Sequence, residues 1–392
     1  MRLLRNPHVA ATSADEPGTA EPVDLPPGAL ARPLDLHRLL DGYELTPLLD
    51  VPPLAERVGV GRFLVKHEAQ RLGLPAFKVI GASWATYRLL AKRAVERHGS
   101  LPAASSFDEL RGAFTDDAGL TLVTATDGNH GRAVARAARW FGLAADIYMP
   151  AGTAAARVSA IESEGARVTV VDGDYDHAVA TAATTAGPDR LVVSDTSWPG
   201  YVEVPRWIAE GYATIFDEID EQIGGFGVDR PDAVVVPVGV GAFAQAMLDH
   251  WPEPPPDGPV RIAVEPAVAD CLLRSIKAGR PATVPGPHES IMAGMNCGTV
   301  SMVAWPVMAA RIDWCTAIED RYAADAMRLL ANEGIVVGET GAAAVAAWLA
   351  IAEEAPGVLR DMGLDDTSTV LALCTEGATD PANYERIVGA AP

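Results

Sequence analysis

The distribution of hydrophobic and polar residues predicts alternating strands and helices that begin near Leu34. Short runs rich in Val, Ile and Leu are typical of buried strands, and apolar residues recurring every three or four positions are typical of amphipathic helices. From residue 120 the order is strand, glycine loop and helix, so we expect an α/β fold with a parallel sheet and right-handed crossovers. The predicted strands are 62–65, 120–123, 145–149, 167–171, 191–193, 233–238, 261–265 and 370–373, and the predicted helices include 54–58, 81–97, 132–141, 154–164, 176–185 and the tract 200–221.

Composition and charge narrow the class of protein. The chain has 392 residues, enough for two domains, and a formal net charge of −21. This charge argues against nucleic acid or an anionic membrane as a partner, although a small substrate can still bind a locally positive site. The sequence contains neither a membrane-length apolar run nor a recognisable signal peptide, so we expect a cytoplasmic location. Its four cysteines are too scattered for a disulfide scaffold or a zinc site, so we expect no metal.

Lysine is rare in this chain. Only four of the 31 basic residues are lysines, namely Lys66, Lys78, Lys92 and Lys277, and arginine does not form imines. Lys66 ends an apolar run, Lys92 lies on a charged helix face, and Lys277 stands near a glycine that ends a helix. Lys78 alone has uncharged neighbours, so burial is expected to lower its pKa and make it a nucleophile. The alternative is a lysine at the start of a helix whose ammonium reaches solvent.

A glycine-rich loop follows the strand 233–238 and precedes a helix. Its backbone N–H groups and the helix dipole are suited to one phosphate group, because the loop lacks the Lys-Ser/Thr of a P-loop and the third glycine of the dinucleotide fingerprint. A structural turn without function is equally compatible with the pattern. The residues concerned are Gly239, Val240, Gly241, Ala242 and Phe243.

A second loop, 127–131, also joins a strand to a helix and reads Asp-Gly-Asn-His-Gly. The amide of Asn129 is able to donate a hydrogen bond to an aromatic oxygen of a cofactor. The alternative is an N-cap turn made by Asp127 or Asn129, with His130 as a satisfied polar residue, and we favour that interpretation for His130. Asp195 follows a strand end, where sites of α/β proteins gather, although a lone Asp there is usually a turn residue.

Together these motifs resemble the pyridoxal-phosphate enzymes of the tryptophan-synthase β-subunit fold, also called fold type II. The resemblance covers about residues 43–388 and is strongest toward the diaminopropionate ammonia-lyases. It implies two domains with open twisted sheets and the cofactor between them: a large domain of 31–90 and 200–392, a small domain of 91–199, and a flexible arm of 1–30. The matching segments are Leu72-Gly-Leu-Pro-Ala-Phe-Lys78, Ala125-Thr-Asp-Gly-Asn-His-Gly-Arg132, Met292-Ala-Gly-Met-Asn-Cys-Gly-Thr299 and Thr375-Glu-Gly-Ala-Thr-Asp-Pro381.

The same resemblance assigns roles to individual residues. It implies that Lys78 carries pyridoxal 5'-phosphate, that Asn129 lies near its phenolic oxygen, and that the 239–243 loop binds its phosphate. Cys374 matches a position that often holds Ser beside the pyridine nitrogen, and Thr375 is the rival. Neither is an Asp, so this nitrogen is expected to stay unprotonated, which suits elimination.

The implied activity is elimination of ammonia from 2,3-diaminopropionate, giving pyruvate and ammonia, by a homodimer. Lys78 would take the α-proton of the L-isomer, and Asp127 that of the D-isomer. Dehydratases of this fold carry Ser where this chain has Asp127, and a carboxylate there, with Asp195, would attract a β-ammonium group. Dehydration of a hydroxy amino acid, β-replacement and a catalytically silent binding protein stay open as alternatives.

Two further features follow from the comparison of motifs. The segment 67–69 reads His-Glu-Ala in place of the usual Asp-Glu-Ser, and because it precedes Lys78 we expect this departure to affect the shape of the pocket. Cys271 and Cys297 lie on segments that resemble those lining the site entrance. A labile bridge between them and a pair of buried thiols are both open, and the distance between their Cα atoms decides which is possible.

Overall fold

The computed structural model describes residues 1–9, 25–126, 128–173 and 175–392. Its strands are β1 (Arg2–Arg5), β2 (Leu48–Asp50), β3 (Arg62–His67), β4 (Thr121–Ala125), β5 (Ala144–Pro150), β6 (Arg167–Val171), β7 (Arg190–Val192), β8 (Ala233–Pro237), β9 (Val260–Pro266), β10 (Trp314–Ile318) and β11 (Thr369–Cys374). Its α-helices are α1 (Pro33–Leu39), α2 (Pro52–Val58), α3 (Lys78–His98), α4 (Phe107–Gly112), α5 (Asn129–Phe141), α6 (Ala155–Glu162), α7 (Tyr175–Thr184), α8 (Glu203–Gly211), α9 (Ala213–Ile223), α10 (Ala242–His250), α11 (Cys271–Ala278), α12 (Trp305–Arg311), α13 (Asp320–Asn332), α14 (Ala343–Glu354), α15 (Val358–Asp361) and α16 (Pro381–Val388).

The strands form two separate sheets. The larger has seven strands in the order β1-β10-β9-β8-β11-β3-β2, and the smaller has four in the order β6-β5-β4-β7. All neighbours in the smaller sheet are parallel, as are the five central strands of the larger sheet, whereas β1 and β2 join its edges antiparallel. The predicted α/β fold with parallel pairing is confirmed.

Helices cover both faces of the larger sheet, so β8, β9, β10 and β11 are buried along their whole length, and β3 is buried except at its two ends. Along β11, Leu371 and Leu373 belong to one hydrophobic core, whereas Val370, Ala372 and Cys374 belong to the core on the opposite face. This division follows from the alternation of side chains along a strand. None of the described helices combines the length and the apolar character that crossing a membrane requires.

Helix α3 is placed by its close contact with α8. A Cβ added to Gly81 would lie 2.5 Å from Cε1 of Tyr212 and 2.8 Å from the carbonyl oxygen of Ile208. A Cβ added to Gly211 would lie 2.7 Å from the carbonyl oxygen of Ile80. Glycine on both helices therefore lets the backbones approach, and this contact fixes Lys78, the first residue of α3.

A buried network of charged side chains supports β3 from one side. Lys66 Nζ lies 2.9 Å from Glu218 Oε2 and 2.8 Å from the carbonyl oxygen of Thr46, while Arg71 pairs with both Glu68 and Glu218. Two cations and two carboxylates thus compensate one another away from water. Lys66 is near the end of β3, as predicted, and its partners assign it to this network.

The expectation that residues 1–30 form a flexible arm is wrong for the first residues. Arg2–Arg5 pair with β10, from Arg2 opposite Ala317 to Arg5 opposite Trp314. The amino group of Met1 lies 2.8 Å from a carboxylate oxygen of Glu354. Backbone hydrogen bonds to a sheet edge supply the order that composition did not indicate. The rest of the predicted arm includes residues 10–24, which lie outside the described part of the chain.

The division into domains stays a proposal. We propose that the four-stranded sheet marks the small domain, 91–199, and the seven-stranded sheet the large one, 31–90 with 200–392. The strands of the smaller sheet run from Thr121 to Val192, within the proposed limits, although α3 crosses the boundary at residue 90 and continues to His98. A comparison of ligand-free and ligand-bound crystals tests it, because two domains should move as separate rigid bodies.

Candidate active site

A cavity of about 360 Å³ lies where several elements begin or end. Pro237 at the end of β8 and Thr375 just after β11 line it, together with the first residues of α3, α5 and α10. The carboxyl ends of parallel strands and the amino ends of helices are where α/β proteins bind ligands. The described residues of the predicted site that line this cavity are Lys78, Asn129, Asp195, Gly239, Val240, Gly241, Ala242, Phe243 and Thr375.

Lys78 and Asp195 form an ion pair on the cavity wall, with Lys78 Nζ 2.6 Å from Asp195 Oδ2. Burial alone would lower the pKa of Lys78, but the charge and hydrogen bond of Asp195 outweigh it, so the pKa of Lys78 is raised above its ordinary value. The expectation of a lowered pKa is therefore wrong. The local sequence around Lys78 is uncharged, but a carboxylate distant in sequence reaches its amine.

Asp195 lies between two basic side chains. His130 Nδ1 is 3.8 Å from Asp195 Oδ2, and His130 Nε2 is 2.8 Å from the carbonyl oxygen of Val193. Burial would raise the pKa of Asp195, but the charges of His130 and Lys78 and the hydrogen bond from Lys78 outweigh it and lower that pKa below its usual range. His130 thus lines the cavity beside a carboxylate, in addition to satisfying the backbone.

Aromatic rings pack beneath Lys78. The ring of Phe77 lies 4.7 Å from that of Tyr212 and 4.5 Å from that of Phe243, and the rings of Tyr212 and Phe243 meet edge-on. Tyr212 is buried and lines the cavity, and its hydroxyl has no hydrogen-bond partner among the described residues. The rings connect the start of α3 with the start of α10, and so they hold the amine and the glycine loop together.

The glycine loop is tightly constrained. Gly241 has φ +105°, in the left-handed region, and a Cβ added to it would lie 2.7 Å from Sδ of Met308. A Cβ added to Gly239 would lie 3.1 Å from the carbonyl oxygen of Gly294. The loop therefore depends on residues without side chains, and it presents backbone to the cavity.

Asn129 begins α5 and its amide nitrogen Nδ2 donates to Glu376 Oε2. The other Glu376 oxygen accepts from the backbone N–H of Thr340, at 3.2 Å. The start of α5 is satisfied by Thr126 Oγ1, which accepts from the N–H groups of Gly128 and Gly131 at 3.0 and 3.1 Å. The N-cap residue is Gly128, without a side-chain cap, so the alternative in which Asn129 caps the helix is wrong.

Asp127, the other predicted catalytic residue, lies outside the described residues. The two residues beside it in the sequence, Thr126 and Gly128, line the cavity. Its role therefore stays a prediction that rests on the sequence.

The two candidates at the end of β11 differ in position. Thr375 lines the cavity, whereas Cys374 is fully buried in the core on one face of the sheet, with Val370 and Ala372. This geometry favours Thr375 over Cys374 as a residue that touches a ligand.

Cys271 and Cys297 both lie beside Gly239. Cys271 Sγ is 3.8 Å from the Gly239 carbonyl oxygen, and a Cβ added to Gly239 would lie 3.2 Å from Cys297 Sγ. Cys271 is buried, whereas Cys297 lines the cavity and is partly exposed, so the picture of two buried thiols is wrong for Cys297. The structure has no disulfide between Cys271 and Cys297.

The unusual segment 67–69 contributes nothing to the described lining of the cavity. His67 Nε2 is 2.8 Å from the carbonyl oxygen of Val336, and Glu68 belongs to the buried charge network. This departure from the family pattern therefore affects the residues around the end of β3 and does not change the described cavity wall.

Among the residues of the cavity wall that sequence reasoning missed are Glu376 and Tyr212. Glu376 was visible only as part of the Thr-Glu-Gly-Ala-Thr-Asp-Pro motif, and Tyr212 only as an aromatic residue within a predicted helical tract. Both are buried polar groups at the cavity. The motif was a usable signal for Glu376, but no pattern distinguishes Tyr212 from a core aromatic.

Comparisons with known proteins agree with this geometry. A family model described as pyridoxal-phosphate dependent enzyme matches residues 39–362. The chain is 37% identical to the diaminopropionate ammonia-lyase of Escherichia coli (strain K12) over 361 residues, covering 90% of this chain and 89% of that protein. It is 36% identical to that of Salmonella typhimurium over 370 residues, covering 91% and 90%.

Solved structures give the same result. The holo diaminopropionate ammonia lyase of Escherichia coli superposes with a TM-score of 0.84 at 33% sequence identity, covering 99% of this chain and 96% of that chain. A processed threonine deaminase isoform from Solanum lycopersicum, at 19% identity and a TM-score of 0.68, shares the fold alone and covers 93% and 95%. The chain belongs to the pyridoxal-phosphate dependent enzymes and, within them, to the diaminopropionate ammonia-lyase family.

Proposed function

We propose that this protein is a pyridoxal-phosphate dependent ammonia-lyase that eliminates ammonia from 2,3-diaminopropionate, with pyruvate and ammonia as products. The observation that carries this proposal is the Lys78–Asp195 pair, 2.6 Å between Nζ and Oδ2, on the wall of the cavity. The family relationship identifies the cofactor, and the pair supplies an amine and a carboxylate where the substrate would bind.

The residues of the cavity fit pyridoxal phosphate. The backbone of Gly239 and Gly241 lines the cavity just before α10, and a Cβ on either glycine would press against neighbouring residues, so the loop keeps bare backbone at a helix start, as a phosphate site requires. Tyr212 offers a buried hydroxyl with no partner among the described residues, and Asn129 offers an amide. We propose that these groups hold the cofactor, with Lys78 as its covalent partner and Thr375, preferred over Cys374, at the pyridine nitrogen.

When bound, the cofactor supplies an electron sink for the carbanion that forms on loss of the α-proton. Asp195 holds the amine of Lys78 in place. Lys78 would take the α-proton of the L-isomer in its neutral form, after losing the proton that Asp195 stabilises. Asp195, together with Asp127, would attract the cationic β-amine of the substrate. Neither Thr375 nor Cys374 is a carboxylic acid, so neither would protonate the ring nitrogen, and an unprotonated nitrogen would favour elimination of the β-group over transamination.

A panel of amino acids tests the activity. Purified protein loaded with cofactor should release pyruvate and two molecules of ammonia from each molecule of 2,3-diaminopropionate, and much less product from serine or threonine. Lys78→Ala should abolish the reaction, whereas Lys92→Ala, at an exposed lysine paired with Glu203, should leave it unchanged. Equal turnover of serine would favour a dehydratase, and new adducts formed with added nucleophiles would favour β-replacement.

Covalent labelling tests the assignment of Lys78 separately. Borohydride reduction of the loaded protein followed by peptide mass mapping should place the cofactor on Lys78. A label on Lys66 instead would overturn the assignment, because Lys66 is held by Glu218 and the Thr46 carbonyl and is not among the residues that line the cavity.

We also propose that the protein is a cytoplasmic homodimer. Dimers with twofold symmetry are the commonest oligomers, and the buried thiols of Cys315 and Cys374 are compatible with a reducing compartment. Light scattering of the purified protein tests the dimer, since a monomer mass at micromolar concentration would exclude it. Cell fractionation tests the location.

A further inference from the structure

Glu376 connects the two sides of the cavity. Its Oε2 accepts from Asn129 Nδ2 at the start of α5, and its Oε1 accepts from the Thr340 N–H, at 3.2 Å. Thr340 in turn accepts at Oγ1 from the N–H of Gly294, at 3.1 Å, and Gly294 lies against Gly239 of the glycine loop. The Glu376 carboxylate therefore connects Asn129, the predicted contact of the phenolic oxygen, with the glycine loop that is predicted to bind the phosphate.

An ionised carboxylate only accepts hydrogen bonds, and this dictates how the Asn129 amide is turned. The nitrogen must face Glu376, because an amide oxygen there would meet another acceptor. The amide nitrogen carries two hydrogens, so one goes to Glu376 and the second stays free for another acceptor. A protonated Glu376 no longer fixes the orientation of the Asn129 amide, because its O–H is able to donate to the amide oxygen when the amide is flipped.

The surroundings of Glu376 make its charge sensitive to pH. Burial is the main cause that raises its pKa to about 7, the nearby Glu339 carboxylate adds to it, and the hydrogen bonds from Thr340 and Asn129 oppose it. Glu339 also lines the cavity, but it accepts from Asn383, on α16. It therefore provides a matched carboxylate that does not touch Asn129.

We propose that Glu376 is a positioning residue that turns the Asn129 amide so that an N–H faces the phenolic oxygen of the cofactor. This inference rests on the proposed function for its cofactor, and it adds a residue that acts through Asn129. The consequence is that the affinity for cofactor depends on the ionised form of Glu376 and on the presence of the amide at the same time.

A double-mutant cycle on cofactor affinity tests the proposal. Pyridoxal phosphate is titrated into apoprotein at pH 8, with tryptophan fluorescence and the absorbance band of the bound cofactor as readouts. Glu376→Gln and Asn129→Ala should each weaken binding by roughly ten- to a hundredfold, the size of a hydrogen bond to a charged group. The double variant should bind pyridoxal phosphate no more than about threefold more weakly than whichever single variant has the lower affinity.

Glu339→Gln is the matched control. At pH 8, above the Glu376 pKa of about 7, its effect should combine additively with that of Asn129→Ala, because Glu339 accepts from a different residue, Asn383, and acts on Glu376 only through its charge. Additive effects of Glu376→Gln and Asn129→Ala would overturn the proposal.

The pH dependence gives a second measurement that needs no Glu376 variant. Wild-type affinity should fall more steeply between pH 8 and pH 6 than the affinity of Asn129→Ala, and equal slopes would overturn the proposal even if Glu376→Gln does not fold. None of these readouts involves turnover. A protein that binds the cofactor but releases no ammonia from 2,3-diaminopropionate would contradict the proposed function alone.

Discussion

Lys78 and Asp195 are 117 residues apart in the chain, yet Lys78 Nζ donates to Asp195 Oδ2 at 2.6 Å. The carboxylate keeps the amine in its charged form, because it raises the pKa of Lys78 against the opposing effect of burial. In this pair Lys78 therefore carries a proton close to the position where the α-carbon and the β-amine of the substrate would react.

The first prediction concerns this pair. Asp195→Asn should lower the pKa of Lys78 and make its amine in the apoprotein react at least tenfold faster with a small acylating reagent at pH 8, on the scale of one pKa unit. The rate is read by peptide mass spectrometry. Lys92, which pairs with Glu203 at 2.9 Å in an exposed position, is the internal control, and Glu203→Gln should change its rate little. An unchanged rate at Lys78 would show that Asp195 does not control the proton.

The second prediction concerns the glycine loop. Gly241 and Gly363 both have positive φ, at +105° and +77°. Of the two, only Gly241 is so close to a neighbour, Met308, that an added Cβ would clash with it. Gly363→Ala should cost about 1–2 kcal/mol of unfolding free energy from backbone strain alone. Gly241→Ala should cost more and should also abolish binding of pyridoxal phosphate, because Met308 must move. Equal losses of stability with intact binding would contradict the role of the loop.

The third prediction concerns two buried tyrosines. Tyr201 Oη accepts from the Ser194 N–H at 2.8 Å and donates to the Val192 carbonyl at 2.9 Å, whereas Tyr212 Oη has no partner among the described residues. A buried unsatisfied hydroxyl costs roughly 1–3 kcal/mol. In the apoprotein, Tyr212→Phe should therefore raise the free energy of unfolding in urea, whereas Tyr201→Phe should lower it. If both variants are less stable than the wild type, the Tyr212 hydroxyl forms a hydrogen bond in the folded protein.

The fourth prediction concerns pH. Glu265 is buried and accepts from the N–H groups of Leu272 and Leu273, at 2.7 and 2.9 Å, yet burial outweighs these bonds and raises its pKa to about 8 from the ordinary 4.5. Between these pH values the unfolded chain has lost the proton and the folded chain has kept it, so stability falls as pH rises through this window.

Glu265→Gln should remove this part of the pH dependence, which is on the order of a few kcal/mol between pH 5 and pH 8.5. Urea unfolding of wild type and variant at both pH values gives the difference directly. If the difference between the two proteins does not change with pH, Glu265 does not titrate in this range.

The fifth prediction concerns the choice of substrate. Asp127→Ser should lower kcat/KM for 2,3-diaminopropionate by roughly ten- to a hundredfold, because a charged hydrogen bond contributes about 1.5–3 kcal/mol. Serine turnover should be affected far less, and D-isomers most, since Lys78 is expected to serve only one face. The same fold loss on both substrates would mean that Asp127 shapes the loop and does not select the leaving group.

Strands with a strong apolar run were predictable from the sequence. The strand at Arg167–Val171 has the predicted bounds. The bounds of β8 differ from the prediction by one residue at one end, and those of β11 by one residue at each end. Helix α14 was missed because residues Ala343–Ile351 are all buried, so no polar face marks its period. The strand at Trp314–Ile318 was missed because two small or polar residues, Thr316 and Ala317, interrupt its apolar character.

The site was predictable as a set of loops but not as a set of contacts. The positions of Lys78, Asn129 and the 239–243 loop on one cavity follow from strand ends and helix starts, which motifs reveal. The charge state of Lys78 was not predictable, because it depends on a partner that only the fold brings near. The same holds for Glu376, whose contact with Asn129 joins positions 247 residues apart.

The strand at Arg2–Arg5 has a consequence for the behaviour of the protein in solution. It covers the outer edge of β10, whose five residues are all buried, so the backbone groups of that strand have no free side. A chain shortened to remove the supposed arm would uncover an apolar edge, and such edges are templates for pairing with other chains. The first residues thus replace an apolar sheet edge with a short strand that carries exposed arginines, Arg2 and Arg5, at its two ends.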